Sequence, residues 1–334
     1  MKKKRWLAFV GCLLAVVLMS AGCSTKQVEE EPKPEPQTVK IAALSGPTGM
    51  GMAEMIAEGV ELGEQVEPEW TIATAPDQVT AGIINGDYQI AAVPTNLAAT
   101  LYNKTEGKVI LGAVNTLGTL SIVADKSENI NSMADLRGKT VYATGQGSTP
   151  EYVLNYLLDK NGLTPGTDVT IEWFGEHSEA AAKLASGEGS IAMLPQPFAT
   201  ATLAKNENLK LAVDMTDAWE KATDVTKLEM GCVVVNKEWA EKNPTIVKKF
   251  MEAYKTSVET VNVADERAAN DVVEAKIMDN QQIAQKAIPN CSIVFITPSD
   301  AKGDLQKYFD VLVSFEPKSV GGKVPGEDFY GLTY

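Results

Sequence analysis

The sequence predicts an α/β protein of two similar lobes, and three observations support this. Short apolar strands alternate with helices, which is the pattern of βαβ units on a mostly parallel sheet. The pattern occurs twice, at an offset of 101 residues. The length of 334 residues is enough for two domains at about 150 residues each. Two copies of so long a period indicate two lobes rather than a solenoid.

The repeat is clearest where residues 83–101 align with 184–202, which places Gly86 on Gly187. In each copy a strand leads through a Gly/Ser/Thr/Pro turn into a helix. A second strand and a second helix follow, and a third strand ends the copy. Glycine just past the second helix suits a C-terminal cap. The predicted strands are 39–44, 71–74 and 89–93 in the first copy, and 140–144, 169–174 and 190–194 in the second.

The chain continues for more than 100 residues after the second copy. We predict a strand at 230–235, a helix from 244 to about 263 and a strand at 292–297. This tail is expected to return and complete the first lobe, with connections between lobes at about 118–126 and 212–232. The predicted organisation is a signal peptide at 1–22, a lipidated cysteine and flexible linker at 23–37, a first lobe of 38–126 plus 214–334, and a second lobe of 127–213.

The N-terminus has the order of a secretory signal: a basic start, an uncharged run from Leu7 to Met19, and small residues before Cys23. The apolar run is too short for a span of roughly 20 residues. Ser20-Ala21-Gly22-Cys23 resembles a bacterial lipobox, which implies that Cys23 carries lipid, including palmitate, on the extracytoplasmic face of the cell membrane. The alternative is a cleaved signal with an incidental cysteine. Residues 24–37 contain three prolines and four glutamates, and we expect an extended tether with a reach of roughly 40 Å.

Composition excludes several functional classes. The net charge is −14, and a product that starts at Cys23 would carry −18, because residues 1–22 contain four basic residues and no acid. So acidic a chain repels nucleic-acid phosphates. His177 is the single histidine, which excludes a multi-histidine metal site, and we expect no metal and no cofactor. Cys232 and Cys291 would remain in the mature chain, either as two buried free thiols or as a disulfide.

Enzyme motifs are incomplete. Gly138-Lys139-Thr140 matches the end of a P-loop, but Met133 stands where its first glycine is required. No G-x-S-x-G segment occurs. We therefore expect no catalytic residues.

Candidate ligand contacts follow the first strand of each copy, because ligands of parallel α/β sheets lie at the carboxyl ends of strands. Backbone N–H groups at the start of the following helix can hold an anion. The alternative is helix capping, in which Glu151 completes a capping box on the N–H of Ser148. These candidates are Ser45, Thr48 and Gly49 in the first copy, and Gly147, Ser148 and Thr149 in the second.

Further candidates lie after the later strands, where they offer hydrogen-bond donors and acceptors. Their alternative roles are caps, turns or packing. These candidates are Thr95, Asn96, His177 and Gln196, together with Trp219 as an aromatic at the rim. The mature chain has two arginines, Arg137 and Arg267. Arg137 lies at the start of a strand, so we do not expect a guanidinium clamp on the ligand.

The order of several loose motifs is similar to that of a known family. After the strand, Gly-Ser/Thr turn and helix come Asp135-Leu-Arg-Gly-Lys-Thr-Val141, Leu184-Ala-Ser-Gly-Glu188, Val233-Val-Val-Asn-Lys-Glu238 and Asn243-Pro-Thr-Ile-Val-Lys-Lys-Phe250. Over residues 39–260 this order, together with the lipobox, resembles the substrate-binding proteins of ABC importers in the nitrate, sulfonate, taurine and thiamine-precursor group. The resemblance implies a two-lobed periplasmic-binding-protein-like fold of type II with a ligand cleft between the lobes.

The same resemblance implies function and partners. The expected protein is a monomeric solute receptor that closes on a small-molecule ligand, either an anion or a heteroaromatic nutrient. It would deliver this ligand to an ABC permease and its ATPase. Two alternatives remain: a ligand-binding module for a signalling receptor, and an enzyme related to the pyrimidine synthases in the same group. The latter use histidine and a cysteine-rich segment that this chain lacks.

Overall fold

The computed structural model describes residues 35–225 and 227–334. These residues form a mixed α/β structure with two sheets, which confirms the predicted fold class. Cys23 and the signal segment lie outside the described residues. The strands are β1 Gln37–Leu44, β2 Val66–Ala73, β3 Ile90–Pro94, β4 Val109–Thr116, β5 Leu120–Asp125, β6 Thr140–Thr144, β7 Thr170–Phe174, β8 Ile191–Pro195, β9 Leu209–Asp214, β10 Gly231–Asn236 and β11 Ile293–Ile296.

The helices cover the sheets and supply the turns at the strand ends. They are α1 Pro47–Met50, α2 Ala53–Ala57, α3 Asp77–Asn85, α4 Thr95–Lys104, α5 Thr149–Lys160, α6 His177–Ser186, α7 Phe198–Lys205, α8 Met215–Ala222, α9 Lys237–Lys242, α10 Pro244–Val261, α11 Glu266–Glu274, α12 Gln281–Ala287 and α13 Pro298–Phe315. The helix predicted from residue 244 to about 263 is α10.

The first sheet has the order β11-β4-β10-β3-β1-β2, and the second has the order β7-β6-β8-β5-β9. In each sheet the three strands of one sequence copy pair in parallel, as predicted. The next strand, β10 in the first sheet and β5 in the second, is antiparallel to its neighbours. The two sheets therefore share one plan.

The aligned glycines have matching backbone conformations. Gly86 follows α3 with φ 80°, and Gly187 follows α6 with φ 82°. Both are left-handed C-terminal caps, which glycine adopts without the steric cost of a Cβ. The third strands of the copies end at Pro94 and Pro195, which lie 101 positions apart. The sequence repeat is therefore also a structural repeat.

The first connection differs from the prediction. Residues 118–126 were expected to cross between lobes, but Leu120–Asp125 is strand β5 of the second sheet. The connection is residues 117–119 alone, so the second sheet begins before the predicted boundary at 126. The second connection, which returns the chain to the first sheet, runs from the end of β9 at Asp214 to the start of β10 at Gly231.

Cys232 and Cys291 are buried free thiols. Cys232 lies on β10, and Cys291 lies just before β11. Burial raises the pKa of both thiols, that of Cys291 to about 12. A thiol with so high a pKa is almost entirely protonated at neutral pH and therefore chemically inert.

Candidate functional site

All ten predicted ligand contacts lie beyond the carboxyl ends of strands in the two parallel sets. The residues from Ser45 to Gly49 follow β1, and Thr95 and Asn96 follow β3. The residues from Gly147 to Thr149 follow β6 in the second sheet. His177 and Gln196 follow β7 and β8. This is the edge at which ligands bind in open α/β sheets.

Two of these residues join the sheets directly. The Thr149 hydroxyl, at the start of α5, donates to Oδ1 of Asn96 on α4 at 2.8 Å. Both side chains are buried. The amide nitrogen of Asn96 donates to the carbonyl of Ser319 at 3.1 Å. Polar groups that follow β3 of the first sheet and β6 of the second therefore meet in one buried network.

A carboxylate from the first turn of α5 accepts a hydrogen bond from the loop before this helix. Glu151 Oε2 accepts the N–H of Gly147 at 2.6 Å, whereas the predicted capping box assigned the N–H of Ser148 to it. The Ser148 hydroxyl donates to the carbonyl of Gly145 at 2.8 Å and makes no cap bond. Gly145 and Gly147 both have positive φ, and the carboxylate accepts from the residue before the one predicted. An anion at this helix start would meet the charge of Glu151.

The loop after β1 leads into a short helix. α1 has four residues, and α2 starts only at Ala53. So short a helix has little dipole to offer an anion, since the dipole arises from aligned peptides. Ser45 donates its N–H to the carbonyl of Ala73 at 2.8 Å, and the carbonyl of Thr48 accepts from Asn115 at 2.8 Å. These backbone groups are hydrogen-bonded within the chain and stabilise the fold.

His177 and Gln196 already have partners within the chain. His177 Nδ1 hydrogen-bonds the Thr144 hydroxyl, and its ring lies 5.3 Å from that of Phe198. Gln196 Oε1 accepts from the Thr200 hydroxyl at 2.8 Å. The peptide bond after Gln196 is cis. Burial lowers the pKa of His177 to about 4, so the imidazole is neutral at pH 7.

The pKa of His177 predicts acid sensitivity. In the unfolded chain histidine titrates near 6.5, so between pH 6.5 and 4 the unfolded state binds more protons than the folded state. The free energy of unfolding should therefore fall across this window as the pH is lowered, on the order of 2 kcal/mol by pH 4.5. Urea unfolding at pH 7 and 4.5, compared with His177→Gln, measures the share due to this residue. An equal loss in His177→Gln would contradict the assignment.

The structure adds polar residues that the sequence did not indicate. Within the described residues, several buried side-chain atoms have no hydrogen-bond partner. They include Thr95 Oγ1, Trp219 Nε1, both carboxylate oxygens of Glu229, and the hydroxyls of Tyr308 and Tyr330. Glu229 lies before β10, and Tyr308 lies on α13, so neither follows a strand of the repeat. Only their position in the folded chain reveals them.

Trp219 is not at a rim. Its side chain is fully buried on α8, and its ring lies 5.1 Å from that of Tyr156 and 5.7 Å from that of Tyr308. The candidate assignment as a rim aromatic is therefore wrong. The polar residues around it in sequence belong to the exposed face of α8.

The buried charged side chains of the described residues are both acidic. In the part of the chain that the structure describes, the buried charged side chains are Glu229 and Asp271, and no lysine or arginine is buried. Arg137 is exposed and pairs with Asp168, while Arg267 is exposed and pairs with Glu54 at 3.1 Å. Among the same residues, no group of three or more His, Cys, Asp or Glu side chains is placed to hold a metal ion.

Comparison with known proteins identifies one family. The sequence profile of the family described as "ABC transporter, phosphonate, periplasmic substrate-binding protein" matches residues 51–277. No curated protein sequence matches the chain significantly.

Several solved structures have the same fold. An ABC transporter protein from Parabacteroides distasonis is 24% identical with a TM-score of 0.73, covering 87% of this chain and 98% of that one. The periplasmic aliphatic sulphonate-binding protein SsuA from Escherichia coli is 15% identical with a TM-score of 0.69, covering 87% and 90%. The periplasmic nitrate-binding protein NrtA from Synechocystis is 15% identical with a TM-score of 0.55, covering 72% and 67%. At these identities the likeness is one of fold. The matched family is one of substrate-binding proteins of ABC transporters.

Proposed function

The chain belongs to the phosphonate-type family of periplasmic substrate-binding proteins of ABC transporters, and on this premise we propose that it is a lipid-anchored receptor that closes over a small molecule. The residues from Ser45 to Gly49, Thr95 and Asn96 would contact the ligand from one lobe. The residues from Gly147 to Thr149, His177 and Gln196 would contact it from the other. The closed receptor would dock on a permease, and a separate ATPase would supply the energy. We propose no catalytic role.

The observation that carries the proposal is the hydrogen bond between Thr149 and Asn96. It joins the loop after β6 to the helix after β3, and these are equivalent edges of two equivalent sheets. The connections at 117–119 and 215–230 would act as the hinge. A ligand drives closure only if it binds the closed form more tightly than the open form. Contacts from both lobes provide that difference.

Thermal-shift screening of the purified protein tests the proposal. A receptor should gain several degrees in Tm from one class of small solute at millimolar concentration, because a ligand that binds only the folded state stabilises it by mass action. Small-angle scattering with and without that solute should show a more compact particle. A solute that raises the Tm without compaction would argue against lobe closure.

Replacing Thr149 with valine should weaken the junction between the sheets, which is the hydrogen bond between Thr149 and Asn96. The change keeps the shape of the side chain but leaves Asn96 Oδ1 buried without its donor. The free energy of unfolding should fall by about 1–2 kcal/mol, the usual cost of an unpaired buried acceptor. Thr105→Val is the matched control, because the buried Thr105 hydroxyl donates to the carbonyls of Leu101 and Tyr102 in the adjoining helix α4 and to no other element. Equal losses in the two variants would contradict a specific role for the junction.

The anchor is a separate part of the proposal. Cys23 lies outside the described residues, and within residues 35–225 and 227–334 no helix has the length and apolarity to cross a bilayer. Cys23→Ala should move the protein from the membrane pellet to the soluble extracytoplasmic fraction with an unchanged Tm, because residues 24–36 separate the cysteine from β1 in sequence. A variant that still sediments with membranes in detergent-free lysate would rule out lipidation at this residue.

A further inference from the structure

Strand β4 ends in two buried polar side chains inside the first sheet. Asn115 is 1% exposed and Thr116 is 2% exposed. β4 lies between β10 and β11, and all eight of its residues are buried. Burying an amide without hydrogen bonds costs free energy, so polar side chains in this position need specific partners. The hydrogen-bond partners of Asn115 and Thr116 belong to segments of the proposed solute site.

The side-chain amide of Asn115 supports the loop after β1. Its Nδ2 donates to the carbonyl of Thr48 at 2.8 Å. The start of α1 has no side-chain cap, and in the described part of the chain no other side chain hydrogen-bonds residues 45–52. These residues include the proposed solute contacts from Ser45 to Gly49. Asn115 therefore fixes where this loop lies relative to the end of β4.

Two neighbouring residues fix the orientation of this amide. The Thr116 hydroxyl donates to Asn115 Oδ1 at 3.0 Å, which leaves Nδ2 directed toward Thr48. Gly231 on β10 faces the same oxygen, and a Cβ at this position would lie 2.7 Å from Oδ1 and 3.0 Å from the Thr116 hydroxyl oxygen. Both distances are shorter than van der Waals contact, so only glycine leaves room for the amide in this orientation.

The backbone beside Asn115 reaches the second group of proposed contacts in the first lobe. The carbonyl of Thr116 accepts the N–H of Met230 at 2.9 Å, and the carbonyl of Met230 accepts the N–H of Thr95 at 3.0 Å. Thr95 opens α4, and Asn96 beside it bonds Thr149 of the second lobe. One series of hydrogen bonds therefore runs from the loop after β1 to the junction between the sheets.

We propose that Asn115 is a positioning residue for the solute site, which holds the loop from Ser45 to Gly49 in register with the start of α4. The inference rests on the solute-receptor function proposed above. Asn115 acts on the solute through the loop, because its two side-chain hydrogen bonds go to Thr48 and Thr116. Binding groups must be held within about 0.5 Å of their productive geometry, and supporting hydrogen bonds provide that precision.

Hydrogen exchange of the solute-free protein tests the support of the loop. Asn115→Leu keeps the branched shape of the side chain and removes the donor to Thr48. The amides of Gly49, Met50 and Met52 are hydrogen-bonded within the loop and its first helical turns. They should exchange at least tenfold faster in the variant, because the loop loses its bond to β4 and opens more often. A change in these amides no larger than that in the amides of α5 would overturn the inference.

Three further variants separate positioning from a general loss of stability. Asn206→Leu is the matched control, because the partly buried Asn206 amide donates to the carbonyl of Ala185 at 3.0 Å in the second lobe. It should leave exchange in the loop unchanged. Thr116→Val removes the bond that orients Asn115 and should speed exchange, whereas Thr116→Ser keeps the hydroxyl and should match the original protein. Equal loop exchange in the two Thr116 variants would overturn the inference, even if Asn115→Leu fails to fold.

Calorimetric titration separates this inference from the receptor function. Ethylphosphonate and ethanesulfonate are the probes, and the purified proteins are titrated at pH 7.5. Thr116→Val should weaken the probe that binds by at least tenfold, while Thr116→Ser and Asn206→Leu should bind it as the original protein does. Equal affinity of Thr116→Val and the original protein would overturn the inference and leave the receptor function intact. Binding of neither probe by the original protein would count against both.

Discussion

Replacing Gly49 with alanine should lower the free energy of unfolding by about 3 kcal/mol or more. A Cβ at this position would lie 2.1 Å from the carbonyl oxygen of Leu44 and 3.2 Å from its carbonyl carbon. Side-chain rotation cannot relieve a clash with backbone, so α1 or the end of β1 must move. Overpacking of this kind usually costs about 1–3 kcal/mol and sometimes more. Urea unfolding monitored by circular dichroism measures the loss.

Two other glycines serve as controls for Gly49→Ala. Gly175 is exposed and Gly303 is exposed within α13, and a Cβ at either position would have no neighbour within 4 Å. Gly175→Ala should be near neutral, and Gly303→Ala should stabilise the helix by up to about 1 kcal/mol. A Gly49→Ala protein as stable as the Gly175→Ala protein would contradict the close packing.

The repeat was predictable because it combines two local signals. Apolar runs of strand length and a glycine that ends a helix are both written in the sequence, so β3 and β8 were placed to within one residue at each end. Strand β5 was missed for a physical reason. Its first five residues are buried on both faces, so it shows no alternation of polar and apolar residues. A short apolar strand between the two lobes is then easily mistaken for a connecting segment.

The site was predictable only in part. The rule for strand ends nominated Thr149 and Asn96 separately, but their hydrogen bond depends on how the two sheets meet. Glu229 and Tyr308 are outside the repeat, and only the tertiary structure shows that both are fully buried. In sequence, an isolated glutamate before an apolar strand looks like a solvated turn residue. The burial of Glu229 and its lack of a hydrogen-bond partner among the described residues depend on the tertiary structure.

Trp219→Ala should be the most damaging core substitution at the return connection, with a loss of about 3–5 kcal/mol. The indole is fully buried on α8, between Tyr156 on α5 and Tyr308 on α13. Removing it leaves a cavity among three helices that the surrounding aromatic rings cannot fill by small shifts. Equilibrium urea unfolding at pH 7, with tyrosine fluorescence or circular dichroism as the signal, measures the effect.

Trp219→Phe separates the cavity from the polar atom. Phenylalanine retains much of the ring and removes Nε1, which is buried without a partner among the described residues. The loss should therefore be well below that of Trp219→Ala, because deleting an unpaired donor recovers part of the packing cost. Trp239→Phe on α9 is the matched control, since that indole is only half-buried yet also has an unpartnered Nε1 in the described chain. If Trp219→Ala lowers the free energy of unfolding by less than about 1 kcal/mol, the indole does not hold α8 against α5 and α13. A firmly packed hinge segment at α8 would then be ruled out.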